Sequence, residues 1–85
     1  MPVIKVLGPG CANCKKVEEL VREAVANFGI EAQIIKITDF AEITKYPILH
    51  TPGLVIDEKL VCSGRIPTVA EISTWLADAQ TGTAS

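Results

Sequence analysis

The chain has 85 residues, 48% of them apolar and 21% charged, with a net charge of −2 at pH 7. That length supports one domain on one core with little room for a second site, and apolar residues spread along a nearly neutral chain favour an ordered globular domain over disorder. The basic residues Lys5, Lys15, Lys16, Arg22, Lys36, Lys45, Lys59 and Arg65 are scattered among acids rather than gathered in a stripe, so no nucleic-acid partner is expected.

The run Val3-Ile4-Lys5-Val6-Leu7 reads as a first strand. Met1-Pro2-Val3 supplies no basic segment ahead of it, which argues against a signal peptide, and no run approaches the ~20 apolar residues of a membrane span. Between Cys11 and Phe28, the residues Cys14, Val17, Leu20, Val21, Ala24, Val25 and Phe28 recur at helical spacing and form one core-facing stripe. Lys15, Lys16, Glu18, Glu19, Arg22 and Glu23 fill the opposite, solvated face, with Glu18 and Arg22 spaced as an i,i+4 pair, and Gly29 ends the helix. Ile30 to Ile37 reads as a second strand, apolar on both faces at Ile34-Ile35 and so expected inside the sheet.

Asp39 and Glu42 have cap spacing for a short helix that Pro47 must end. Leu54-Val55-Ile56 and Leu60 to Ser63 flank the turn Asp57-Glu58-Lys59 and predict an antiparallel hairpin. Thr68 and Glu71 form a capping box for a last helix with Val69, Ile72, Leu76 and Ala79 inward and Trp75 at the border of the stripe. The small, polar residues 80–85 are expected to be a flexible tail after a single domain spanning 1–79. The order βαβαββα implies an α/β fold: a mixed four-stranded sheet covered by three helices.

The most informative motif is Cys-x-x-Cys in Gly8-Pro9-Gly10-Cys11-Ala12-Asn13-Cys14, where the first strand gives way to the first helix. Unpaired N–H groups and the positive end of the dipole at a helix start stabilise a thiolate, the species that attacks disulfides and binds soft metals. Cys11, nearer the helix end and preceded by Pro9-Gly10, is the expected exposed nucleophile, and Cys14, on the inward stripe, the expected resolving thiol. Three cysteines without a signal peptide suit a reducing cytoplasm rather than a secreted disulfide framework. Cys62, in an apolar strand pattern, reads as a small buried hydrophobe.

Three segments together resemble the thioredoxin superfamily, and specifically its small redox-active disulfide proteins: Gly8-x-Gly10-Cys11-x-Asn13-Cys14, Thr51-Pro52-Gly53-Leu54-Val55-Ile56-Asp57, and Ser63-Gly64-Arg65-Ile66-Pro67. The resemblance covers about residues 3 to 79. It implies a thioredoxin-like fold, a cis peptide bond at Pro52 beside the dithiol, and an extended substrate segment that pairs with the backbone of Thr51. It also implies protein-disulfide reductase-like activity on a protein or small-molecule disulfide. The electron donor would be a reductase or a low-molecular-weight thiol; a monomer without an organic cofactor is expected.

The chain departs from standard thioredoxin in ways that bear on chemistry. The aromatic residue before the first cysteine and the proline between the two cysteines are missing, and Lys5 stands where thioredoxins carry a buried acid six residues before the first cysteine. His50, just ahead of Thr51-Pro52, is a candidate proton shuttle, although a surface histidine is the plainer reading.

The alternatives are a soft-metal or metalloid module using the same two thiolates, and an adaptor that keeps the dithiol without catalysis. A copper-binding motif would place methionine where Pro9 stands and would require the order βαββαβ. A structural zinc site would need four ligands, and only Cys62 and His50 remain beside the pair, so no metal ligand set is assigned.

Overall fold

The computed structural model describes residues 2–10, 12–48 and 50–80, with Gln80 described by its backbone only. The elements are β1 (Val3–Leu7), α1 (Ala12–Phe28), β2 (Gln33–Ile37), α2 (Phe40–Ile43), β3 (Gly53–Ile56), β4 (Lys59–Ser63) and α3 (Val69–Gln80). The strands form one mixed sheet in the order β2-β1-β3-β4, with β1 parallel to β2 and antiparallel to β3. The fold is α/β, as the element order predicts, and it matches the thioredoxin-like fold that the resemblance implies. Gln80 closes α3, and the rest of the segment read as a tail, 81–85, lies outside the described residues.

Alternation along the strands divides the core in two. Ile4, Val6, Leu54, Ile56 and Cys62 face α1 and α3, where they meet Val17, Val21, Ala24, Ile72 and Leu76. Leu7 and Val55 face the other side and pack with Ile43 of α2, flanked by Ile37, Tyr46, Ile48 and Leu60. Phe28, expected on the inward stripe of α1, is instead exposed at the helix end, where Gly29 N–H already donates to Val25 and Ala26 carbonyls.

The second strand differs from its expectation in length and position. Its first ladder bond runs from Gln33 N–H to Pro2 O at 3.0 Å, and residues 30–32 lie before β1 offers a partner. It is an edge strand, not an inner one, because the β3–β4 hairpin takes the other side of β1. Apolar residues on both faces of β2 reflect cores above and below the sheet: Ile34 packs with the α1–α3 cluster and Ile37 with the α2 cluster. Flanking strands are a separate matter.

Local signals govern the connections. Asp39 caps α2 by accepting from Ala41 N–H at 3.0 Å, whereas Glu42 turns to Lys45 rather than back to the cap. The two-residue turn Asp57-Glu58 has φ of +50° and +68°, and the Asp57 carboxylate fixes it by accepting from Val3 N–H at 2.8 Å. Val61 is the extra residue of a β-bulge, since Leu54 pairs with Cys62 but Val55 with Leu60.

The capping box of α3 is complete. Glu71 N–H donates to Thr68 Oγ1 at 3.1 Å and Thr68 N–H donates to Glu71 Oε1 at 3.0 Å. Arg65 adds a two-pronged pair to the same carboxylate at 3.0 and 2.8 Å. Arg65 first, then the Thr68 N–H, holds the Glu71 carboxyl down at about 2 against an ordinary 4.5. A depressed carboxyl adds stability that is full above about pH 4.5 and is lost as pH falls through about 2. Thermal melts across that window are therefore expected to fall less steeply for Glu71→Gln than for the parent; parallel curves would remove Glu71 as a source of acid lability.

Candidate functional site

One end of the sheet brings together Gly8, Cys14 and Thr51-Pro52. Because β1 and β3 are antiparallel with Leu7 opposite Gly53, the chain leaving β1 at Gly8 runs beside Thr51-Pro52 entering β3. The Thr51–Pro52 peptide bond is cis, Pro52 is buried and Thr51 exposed. Two backbone bonds frame this end: Gly8 N–H to Ile37 O and Gly64 N–H to Pro52 O, each 2.9 Å.

Gly8 is the meeting point. A Cβ there would run into Cys14 Sγ and would stand 3.8 Å from Thr51 Cβ. The buried glycine thus lets the thiol of α1 and the threonine of the 51–52 loop approach one backbone position from two sides. Cys14 is the third residue of α1 and 5% exposed. The first turn of α1 carries no acid, and Lys15 and Lys16 follow on its exposed side. A thiolate there meets the positive end of the helix without an opposing carboxylate in that turn. Gly10, with φ of +92° and open space around it, supplies the left-handed backbone of the loop. Cys11, the expected nucleophile, lies outside the described residues.

A family model described as "Thioredoxin domain" matches residues 3–77. The chain belongs to the thioredoxin family. It is 43% identical over 76 residues to a thioredoxin of Methanocaldococcus jannaschii, across 89% of this chain and 87% of that protein. It is 38% identical over 77 residues to a thioredoxin of Methanothermobacter thermautotrophicus, across 91% of this chain and the whole of that protein. A Nu-class GST from Haemonchus contortus shares the fold, with a TM-score of 0.51 at 18% identity over the whole of this chain and 39% of that one. Membership of the thioredoxin family points to thiol–disulfide exchange, with a disulfide as substrate and a reductase as partner. Among the described residues no helix is long and apolar enough to cross a membrane.

Within this thioredoxin-family domain the other sequence candidates separate. Lys5 shares the α2 face with Leu7, and its ammonium reaches away from Gly8, toward the β3–β4 turn at the opposite end of the sheet. There it donates to Glu58 Oε1 and to Tyr46 Oη at 2.9 Å, while Tyr46 donates to the same Glu58 oxygen at 3.0 Å. Glu58, and after it Tyr46, raises the Lys5 pKa, so the side chain stays charged in this clasp. It does not stand beside the thiol as a substitute for the missing acid.

His50 is exposed and lies against Gly64, with Thr51 as its neighbour in a shallow pocket on the α2 side. Cys62 is buried on β4, its thiol directed at Arg65 O at 3.7 Å, and burial pushes its pKa up. It is a core residue. Among the described residues, no three His, Cys, Asp or Glu side chains gather as a metal-ligand set.

The sequence reading missed two neighbours of Cys14. A cavity of about 30 Å³ beside the thiol is lined by Glu18 and Lys36, which pair at 3.4 Å. The signal for Glu18 is its i+4 spacing from Cys14. For Lys36 it is strand register, which needs the pairing with Val6.

Proposed function

We propose that this chain is a thiol–disulfide oxidoreductase working through Cys11 and Cys14. The Cys11 thiolate attacks one sulfur of a substrate disulfide, forming a Cys11–substrate bond and releasing the other substrate sulfur as a thiolate that takes up a proton. Cys14 then loses its proton and attacks Cys11; the Cys11–Cys14 bond forms, the Cys11–substrate bond breaks, and the second substrate sulfur leaves reduced. Two electrons pass from the dithiol to the substrate. A reductase or low-molecular-weight thiol in the cytoplasm returns them.

The observation that carries this reading is the convergence at Gly8: the Cys14 sulfur and Thr51 both lie close to this glycine, next to a helix whose first turn holds no acid. Thr51 is exposed beside the buried Pro52 and next to Gly8, which suits an extended substrate segment laid along the Thr51 backbone on the side of the sheet end that holds Cys14. The copper-module alternative calls for the order βαββαβ, and this chain has βαβαββα.

Insulin reduction with dithiothreitol as donor tests the proposal. The parent chain is expected to accelerate precipitation of the insulin B chain well above dithiothreitol alone, and Cys11→Ser to return the rate to that baseline. A parent chain no faster than dithiothreitol would overturn the redox reading.

A further inference from the structure

We propose that the clasp of Lys5, Tyr46 and Glu58 is the positioning element that holds Thr51 in place for a polypeptide disulfide. The effect on turnover rests on the dithiol reading above; the hold on the chain at Pro52 does not. The layer on the α2 side of the sheet is thin. Among the described residues, Leu7, Ile43 and Val55 are buried there, against ten residues beneath α1 and α3. The helix α2 is a single turn, and a cavity of about 100 Å³ is lined by Phe40, Ile43 and Thr44 on one side and Ile48, His50 and Thr51 on the other. A layer with so few buried contacts opens locally at lower cost than the rest of the domain, so the groups that fasten it decide where its chain lies.

Between Thr44 and Thr51 the described residues form neither helix nor strand, and two of their side chains, Tyr46 and Ile48, are half-buried. They fasten the connection at two points. Gly53 admits Ile48, since a Cβ there would run into Ile48 Cδ1 and stand 3.4 Å from Leu7. At Tyr46 the fastening is polar: its hydroxyl accepts from Lys5 Nζ at 2.9 Å and donates to Glu58 Oε1 at 3.0 Å, with the Lys5 ammonium 5.6 Å from the ring centre. The two points are joined, because Ile48 N–H donates to Tyr46 O at 2.7 Å. Farther on stands Pro52, whose carbonyl accepts from Gly64 N–H.

The clasp has leverage because its members belong to parts of different rigidity. Lys5 lies on the inner strand β1 and Glu58 in the tight β3–β4 turn, so the sheet sets both, whereas Tyr46 belongs to no element of its own. Lys5 and Glu58 therefore fix Tyr46, and Tyr46 with Ile48 fixes the approach to Thr51. A polypeptide laid along the Thr51 backbone feels any shift of that backbone in every bond it makes there. A small disulfide attacked at sulfur alone makes no such bonds.

Two variants test the clasp: Tyr46→Phe removes the hydroxyl and keeps the ring, and Lys5→Met removes the charge and keeps the stem. Amide hydrogen exchange, followed by NMR, reads the connection without reference to redox chemistry. In each variant the Ile48 and Gly64 amides are expected to exchange about 5- to 20-fold faster, with the amides of α1 and α3 at the parent rate. In insulin reduction the KM for insulin is expected to rise about 3- to 10-fold with kcat within about twofold of the parent. The fast release of thionitrobenzoate when the reduced chain meets Ellman's reagent is expected to stay unchanged. Unmoved Ile48 and Gly64 amides in both variants overturn the proposal. So does faster exchange that spreads equally through α1 and α3, which would make the clasp a matter of global stability, and so does an unmoved insulin KM in an active chain. Local acceleration in a chain whose parent never reduces insulin upholds the clasp as the anchor of the chain at Pro52 and overturns the dithiol reading instead.

Discussion

Serine at position 14 is expected to stop disulfide reduction at its midpoint. The first displacement needs only Cys11, so Cys14→Ser still captures substrate, but a hydroxyl cannot displace the Cys11–substrate bond. Turnover should fall on the order of 100-fold or more, with the mixed disulfide accumulating one to one, as intact-mass spectrometry reads directly. Sulfur to oxygen is a small change of shape in a site where Cys14 is 5% exposed, and burying the hydroxyl costs about 1 kcal/mol, too little to unfold a domain of this kind. Loss of turnover with the fold intact separates chemistry from stability. Turnover near that of the parent would mean that Cys11 works alone and would assign Cys14 to the core.

The second large effect is expected from a single methyl group. Gly8→Ala places a Cβ against Cys14 Sγ, with Cys14 Cβ at 3.3 Å behind it, so Cys14 and the start of α1 must yield. Overpacking of this kind costs about 1–3 kcal/mol. The larger consequence is for chemistry, because the Cys14 sulfur is displaced from its place against Gly8. Gly10→Ala is the matched control: it has open space and a φ of +92°, so it brings backbone strain of about 1 kcal/mol without touching Cys14. Urea unfolding and insulin reduction together should show Gly8→Ala losing more activity than Gly10→Ala at equal loss of stability. If the two variants lose activity in proportion to stability alone, Gly8 has no special place in the site.

What was legible in the chain was whatever short-range chemistry determines. The Thr68–Glu71 box, the tight Asp57-Glu58 turn and the inward stripe of α1 through Cys14 each depend on residues within a turn or two of one another. Long-range placement was not legible to the same degree. Whether β2 lies inside the sheet depends on which side of β1 the hairpin docks, and Ile34-Ile35 carries no information about that. The position of Lys5 was plain, but strand parity sets its face, and its partners Tyr46 and Glu58 lie 41 and 53 residues away. Glu18 and Lys36 read as ordinary surface charges until the parallel register of β1 and β2 brings Lys36 across to α1. Thr51-Pro52 was marked out by resemblance, since nothing local distinguishes it from any proline opening a strand.

The clasp of Lys5, Tyr46 and Glu58 also limits how this domain can be redesigned. Writing an acid at position 5 to imitate standard thioredoxin would face it with Glu58 and set the tyrosine hydroxyl between two carboxylates, on the sheet face opposite α1 and Cys14. The β3–β4 turn would have to be rewritten together with the strand. Position 5 and that turn are electrostatically coupled, so a charge reversal at one is best matched by a change at the other.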